Sequence, residues 1–142
     1  MFIENKKTQP KNLIFVYTTC ADRREAQYIG LSAVESKLAI SADSWPINSI
    51  YPWKGVIQQV DQYMLMLNTH KYLSDKLVEF INEIHSYSTP MIVEVETTGV
   101  NFAYKFWMDS ILANKDRYLS KKEAKKQKIE DEEGVYHYGK LK

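Results

Sequence analysis

Residues 47–68 read INSIYPWKGVIQQVDQYMLMLN, and this stretch decides the fold. Its first part alternates through Ile47, Ser49, Tyr51 and Trp53, the period of a strand with two unlike faces. Pro46 and Pro52 interrupt it, which fits an edge strand or a bulge and excludes a central strand. Lys54-Gly55 reads as a hairpin turn, and Val56 to Asn68 is the returning strand. The first half of that strand is polar (Gln58, Gln59, Asp61, Gln62). Its second half, Tyr63-Met64-Leu65-Met66-Leu67, is apolar at every position.

Working outward, Leu13 to Thr19 (LIFVYTT) is a short β-branched and aromatic run typical of a buried strand. Asp22 offers a helix N-cap, with Glu25 three residues on. Ala26, Ile29, Ala33, Val34 and Leu38 follow at helical spacing, and Gly30 among them marks a close packing point. After the hairpin a second helix spans about Lys71 to His85, with Leu73, Leu77, Phe80, Ile81 and Ile84 on one face. Ser86 to Pro90 is a loop, Met91 to Thr97 a strand, and Asn101 to Leu112 a third helix carrying Ala103, Phe106, Trp107 and Ile111 on its apolar stripe. The order is βαββαβ plus a C-terminal helix. It predicts an α+β domain of ferredoxin-like, split-βαβ layout, with an antiparallel sheet and its two main helices on one face.

A sheet covered on one face should alternate cleanly. Tyr63 to Leu67 does not, so its second face also needs a cover. A second copy of the chain is the preferred cover; the third helix and the C-terminal tail are the alternatives.

Composition bounds the rest. The chain has 142 residues, a net charge of +1 and one cysteine, Cys20. One domain is expected at 12–112, with a leader at 1–11 and a charged extension at 113–142. The extension sets a basic block, Lys121 to Lys128, before an acidic one, Glu130 to Glu133, and ends with Tyr136-His137-Tyr138. Near-zero net charge argues against nucleic acid and an anionic membrane as partners. Neither a signal-peptide core nor a membrane span is read, and a lone cysteine points to a reducing compartment, so a cytoplasmic location is expected.

No Gly-rich phosphate loop, HExxH, GxSxG or CxxC occurs, so no catalytic signature is present and an enzyme is not expected. Cys20 stands before a helix N-terminus with Arg23 and Arg24 nearby. That setting favours a thiolate, whereas a small buried thiol at a strand end is the competing reading. Cys20 and His85 are the soft and imidazole candidates among the domain's metal-ligating residue types. A closed site would need carboxylates such as Asp61 or ligands from a neighbouring subunit. An enzyme using Cys20 as nucleophile and His85 as base would need the two to meet in space. Tyr51, Trp53, Tyr63, Tyr87, Tyr104 and Trp107 are candidates for an interface or a pocket.

Taken in order, these residues resemble the CutA divalent-cation tolerance family. The matching segments are Thr18-Thr19, Ala26-Gln27, Lys37-Leu38-Ala39, Pro46, Ser49 to Gly55, Leu67 with Thr69, the loop His85 to Pro90, and Tyr104 to Trp107. The specific part is the Tyr/Trp-x-Gly hairpin combined with the His-x-Tyr-x-x-Pro loop, and the resemblance covers residues 13 to 112. It implies a ferredoxin-like fold, a tight homotrimer in which long hairpins pair between subunits, kinship with PII-type signalling proteins, and a link to copper and other divalent ions. The chain departs from the family pattern at Ser41, where Cys is frequent, at Val60 and Gln62, where acids are usual, and at Asn68, where Lys is common. Its loop offers a single histidine, His85, preceded by Ile84. The expected function is therefore a non-catalytic homotrimeric binding protein tied to divalent-ion, particularly copper, tolerance. The alternative is a PII-like signalling trimer that takes a small anion or a partner protein in clefts between subunits.

Overall fold

The computed structural model describes residues 13–114 and Tyr118. The leader at 1–11 and most of the extension, with Tyr136, His137 and Tyr138, lie outside the described residues. The elements are β1 (Leu13–Cys20), α1 (Arg23–Glu35), β2 (Ser41–Trp53), β3 (Val56–His70), α2 (Lys71–Ile84), β4 (Ile92–Glu96) and α3 (Phe102–Ala113). The four strands form one antiparallel sheet in the order β2-β3-β1-β4. This is the split-βαβ arrangement that the order of elements predicts.

Local chemistry explains the boundaries. The Asp22 carboxylate accepts the Glu25 N–H at 2.9 Å and starts α1. The helix ends in a Schellman-type turn: Lys37 takes φ 59°, Lys37 N–H donates to Val34 O at 3.0 Å, and Leu38 N–H donates to Ala33 O at 3.0 Å. At the hairpin tip Lys54 and Gly55 have φ of 51° and 80°, the paired positive values of a type I′ turn. The β2–β3 ladder is unbroken from Ser41↔Asn68 to Trp53↔Val56, so no bulge accommodates the prolines. Pro46 and Pro52 sit on an outer strand of the sheet, at positions of equal parity, and so direct their missing N–H toward the same open edge. The strand begins at Ser41, earlier than the alternation from Ile47 suggests. The extra residues lack strand propensity and are recruited because β3 supplies a partner along its whole length.

Register divides the sheet into two apolar faces. Ile14, Val16, Thr18, Cys20, Leu65 and Leu67 point to the inner face. There they are buried against Ile29 and Ala33 of α1 and Leu77 and Ile81 of α2. Each large aliphatic side chain removed from water here contributes about 1.5–3 kcal/mol. The outer face carries Phe15, Tyr17, Met64, Met66, Trp45, Val93 and Val95. The third helix covers one end of this face, where Met108 packs with Leu13 and Ile40 and where Tyr104 and Trp107 approach. It leaves the rest bare: Val93 is 45 % and Val95 42 % exposed. The valines of β4 thus face away from α1 and α2, and Glu94 and Glu96 take the helix side at the sheet edge, where Lys71 pairs with Glu96.

Gly30 is the packing point its position in α1 suggests. A Cβ there would meet Ala42 Cβ of β2 at 2.9 Å and Leu65 Cδ1 at 3.5 Å. Gly30→Ala gains up to about 1 kcal/mol of helix propensity but overpacks a backbone-anchored contact, a penalty of about 1–3 kcal/mol. The expected result is net destabilisation in a denaturant titration, largely recovered in the double variant Gly30→Ala/Ala42→Gly. Full additivity of the two changes would refute the contact.

Candidate functional site

The end of β1, the start of α1 and the loop after α2 meet at one point, and Cys20, Glu25 and His85 are the residues that meet. One ligand atom from each lies within 4.8 Å of the others. This is the one such convergence of three His, Cys, Asp or Glu donors among the described residues. The sequence marks Cys20 and His85 as donors but not their mutual proximity, and it points to carboxylates such as Asp61, or to a neighbouring subunit, for the remaining ligands. The carboxylate is Glu25; Asp61 sits on the hairpin and accepts the Asn48 side-chain N–H at 3.1 Å.

Two members of the trio, Glu25 and His85, are already engaged in hydrogen bonds. Glu25 at the third position of α1 reaches back over the helix start, and its Oε1 accepts the Ala21 N–H at 2.9 Å. Its Oε2 accepts the Ser86 N–H at 2.7 Å, tying α1 to the loop after α2. His85 Nε2 stands 2.9 Å from Thr19 O, so this nitrogen carries the proton and donates. His85 Nδ1 accepts the Tyr87 N–H at 3.1 Å. These two bonds fix the neutral Nε2–H tautomer. The 3.6 Å approach of Nδ1 to Glu25 Oε2 is therefore a close contact rather than an ion pair, because neither group has a proton to share. Tyr87 continues the chain: its ring lies 4.9 Å from the His85 ring, and its hydroxyl accepts the Gln62 side-chain N–H at 2.6 Å.

Cys20 is fully buried, and burial, with the carboxylates of Glu25 and Asp22 adding to it, pushes its thiol up to about 12. The thiolate that the helix N-terminus and Arg23/Arg24 would favour is thus not formed; both arginines are exposed and the near charges are negative. Glu25 moves the other way. Burial raises its carboxyl, but the hydrogen bonds from Ala21 and Ser86 outweigh this and hold it below the usual range.

By type and spacing, the sulfur, oxygen and nitrogen of the trio suit a divalent ion of borderline softness. Carboxylate oxygens keep spare lone pairs while accepting N–H bonds, so Glu25 remains available. Cys20 must first lose its proton, and His85 must first lose a hydrogen bond.

The aromatic candidates fall into separate places. Tyr51, Trp53 and Tyr87, with Gln62 and Met64, line a cleft of about 840 Å³. Tyr104 and Trp107, whose rings lie 5.6 Å apart, line another of about 980 Å³ between α3 and the outer sheet face, with Phe15 and Asn68. Tyr63 packs on the core. The clefts carry the carboxylates of Asp43 and Asp61 and no Lys, Arg or His among the lining residues described. No described helix is long and apolar enough to cross a membrane.

Fold and trio together define a single-sheet split-βαβ protein with a buried soft-donor cluster at one end of its sheet. A family model described as CutA1 divalent ion tolerance protein matches residues 14–111, and the chain belongs to that family. It is 31 % identical over 112 residues to the chloroplastic protein CutA of Arabidopsis thaliana, a match covering 78 % of this chain and 60 % of that one. It is 29 % identical over 96 residues to the divalent-cation tolerance protein CutA of Pyrococcus horikoshii, covering 68 % of this chain and 94 % of that one. The solved structure of CutA from Synechococcus elongatus superposes with a TM-score of 0.70 at 28 % identity, over 72 % of this chain and 91 % of that one. The matches span 60 % of the Arabidopsis protein and 58 % of the human protein CutA.

The Glu25 hydrogen bonds give a pH signature. A carboxyl held lower in the folded than in the unfolded state contributes stability above the unfolded value, near 4.3, and loses it as pH falls through the folded value. Glu25→Gln cannot ionise, and its amide N–H₂ would face a backbone N–H. The variant should be less stable than wild type at pH 7 by about 1–3 kcal/mol, and the gap should narrow as the pH is lowered from 5 toward 3. Thermal melts of both proteins across that range would show it; a gap independent of pH would exclude Glu25 as the titrating group.

Proposed function

We propose that the chain works as a non-catalytic homotrimer serving divalent-cation tolerance, with copper the ion concerned. The observation that carries the assembly is the outer sheet face. An antiparallel sheet with one solvated face is normally polar on that side, yet this one presents Phe15, Tyr17, Met64, Met66, Val93 and Val95. The hairpin tip adds Val56 and Ile57, 58 % and 65 % exposed, and α3 leaves Phe102 and Phe106 outward. Contiguous exposed apolar surface of this kind marks an interaction site, and further copies of the same chain would cover it. The family's name supports the link to divalent ions, and the Cys20–Glu25–His85 trio supplies donors for one. Burial of Cys20 with its thiol protonated counts against its use as a nucleophile, even though His85 lies beside it. The reading as a trimer that takes a small anion is not favoured, since the described cleft residues offer carboxylates and no counter-charge.

Light scattering at low micromolar concentration should give about three times the chain mass. The double variant Val93→Lys/Val95→Lys, which places charge on the bare face, should fall to the mass of one chain while keeping its far-ultraviolet spectrum. A wild-type monomer would overturn the assembly.

Metal affinity should fall well short of the roughly 10–16 kcal/mol of structural zinc sites, because Cys20 and His85 must give up a proton and a hydrogen bond. In calorimetry Cys20→Ser should chiefly lower Cu(I) uptake and His85→Ala chiefly Zn(II) uptake, following ligand softness. Tight binding that survives both changes would place the ion elsewhere.

A further inference from the structure

His85 has two ring nitrogens and both are spent inside the protein. Nε2–H is held by Thr19 O, and the single lone pair on Nδ1 is held by the Tyr87 N–H. Nδ1 is the nitrogen that faces Glu25 Oε2, so it is the one able to share an ion with Glu25 and Cys20. Using Nε2 instead would require moving its proton to Nδ1, which costs both bonds. Glu25 and Cys20 impose no such choice. The carboxylate oxygens retain lone pairs beside their N–H partners, and the thiol only sheds a proton. The choice falls on one hydrogen bond, and that bond anchors the loop carrying Tyr87.

Tyr87 is held at its other end by Gln62, 2.6 Å from its hydroxyl. Gln62 is 7 % exposed and belongs to β3; with Tyr87 it lines the cleft that also holds Tyr51 and Trp53. The loop from Ser86 to Met91 is therefore pinned at its start by the trio and across the sheet by β3.

We infer that ion capture at the trio and closure of the Tyr87 loop are mutually exclusive states of this chain. His85 gives its Nδ1 lone pair to a divalent ion only by releasing the Tyr87 N–H, and the release frees the loop that walls the Tyr51–Trp53 cleft. The trio is in this reading an ion-operated latch. The two states are linked reciprocally: whatever loosens Tyr87 from Gln62 strengthens ion binding, and whatever holds it weakens ion binding. This inference rests on the proposed divalent-ion role and adds to it the consequence of binding for the fold.

The sign of the effect makes it testable, because an ordinary metal site orders its surroundings. The full chain is titrated with Zn(II) alone, binding is followed by calorimetry, and amide hydrogen exchange is read for the segment 85–90. Exchange at Tyr87 should rise about tenfold on saturation, while the Ser86 amide, held by Glu25, and the amides of β1 and α2 stay protected. Gln62→Ala and Tyr87→Phe, which remove no metal ligand, should each bind Zn(II) about three- to tenfold more tightly, the worth of one hydrogen bond. Zinc that binds with the variants unchanged in affinity and the 85–90 amides slowed would overturn the latch and leave the divalent-ion reading standing. No binding heat in wild type or variants would overturn both.

Discussion

Everything in this structure depends on β1 being apolar on both of its faces. A strand of alternating side chains directs Ile14, Val16, Thr18 and Cys20 to one side and Phe15, Tyr17 and Thr19 to the other. The first set is satisfied within the chain: α1 and α2 close over it, and Gly30 lets α1 approach until its backbone nearly touches Ala42. Among the described residues, the second set is satisfied only where α3 reaches it, around Met108. Since β1 lies inside the sheet, its outward residues are continued sideways by Met64 and Met66 of β3 and by Val93 and Val95 of β4. One strand's composition thus sets the need for both a helical layer and a further surface.

The same strand delivers the trio. Cys20 is its last residue and falls on the inner face by parity. It is sealed between the first turn of α1 and the end of α2, where burial and the carboxylates of Glu25 and Asp22 keep the thiol protonated. Thr19 presents its carbonyl to His85 from the neighbouring position. A shift of β1 by one residue would move the thiol to the outer face and remove the carbonyl from reach. The site's chemistry is thereby tied to the register that builds the core.

The fold was legible because its signals are local. Period-two alternation, a helical stripe, an Asp cap and a Lys-Gly turn each report on a few neighbouring residues, and together they give βαββαβ. What stayed hidden depends on partners distant in the chain. Ser41 to Pro46 holds too few strand-forming residues to be read as part of β2, yet β3 pairs with all of it. Alternation in Ile92 to Glu96 shows that the valines share a face but not which face; the pairing of Phe15 with Val95 decides that. At the site, Cys20 and His85 were recognisable as the soft and imidazole donors. Glu25 was visible only as a capping residue, because its second role begins with Ser86 N–H, which the fold brings to it.

Glu25 shows why capping and site chemistry coincide here. A helix N-terminus leaves N–H groups without partners, and a carboxylate nearby gains from them and from the helix dipole. Glu25 takes the N–H of Ala21, the residue just before the Asp22 N-cap, with one oxygen, which fixes the other oxygen toward the incoming loop. That oxygen then binds Ser86 N–H and lies beside His85 Nδ1. The carboxylate therefore stays charged and in place through hydrogen bonds from the folded backbone, at Ala21 and at Ser86. An anion held there beside a buried thiol and an imidazole lowers the cost of bringing in a cation. Folding energetics supply the charge, and an arriving ion must displace the Cys20 proton and contest the hydrogen bond between His85 and Tyr87.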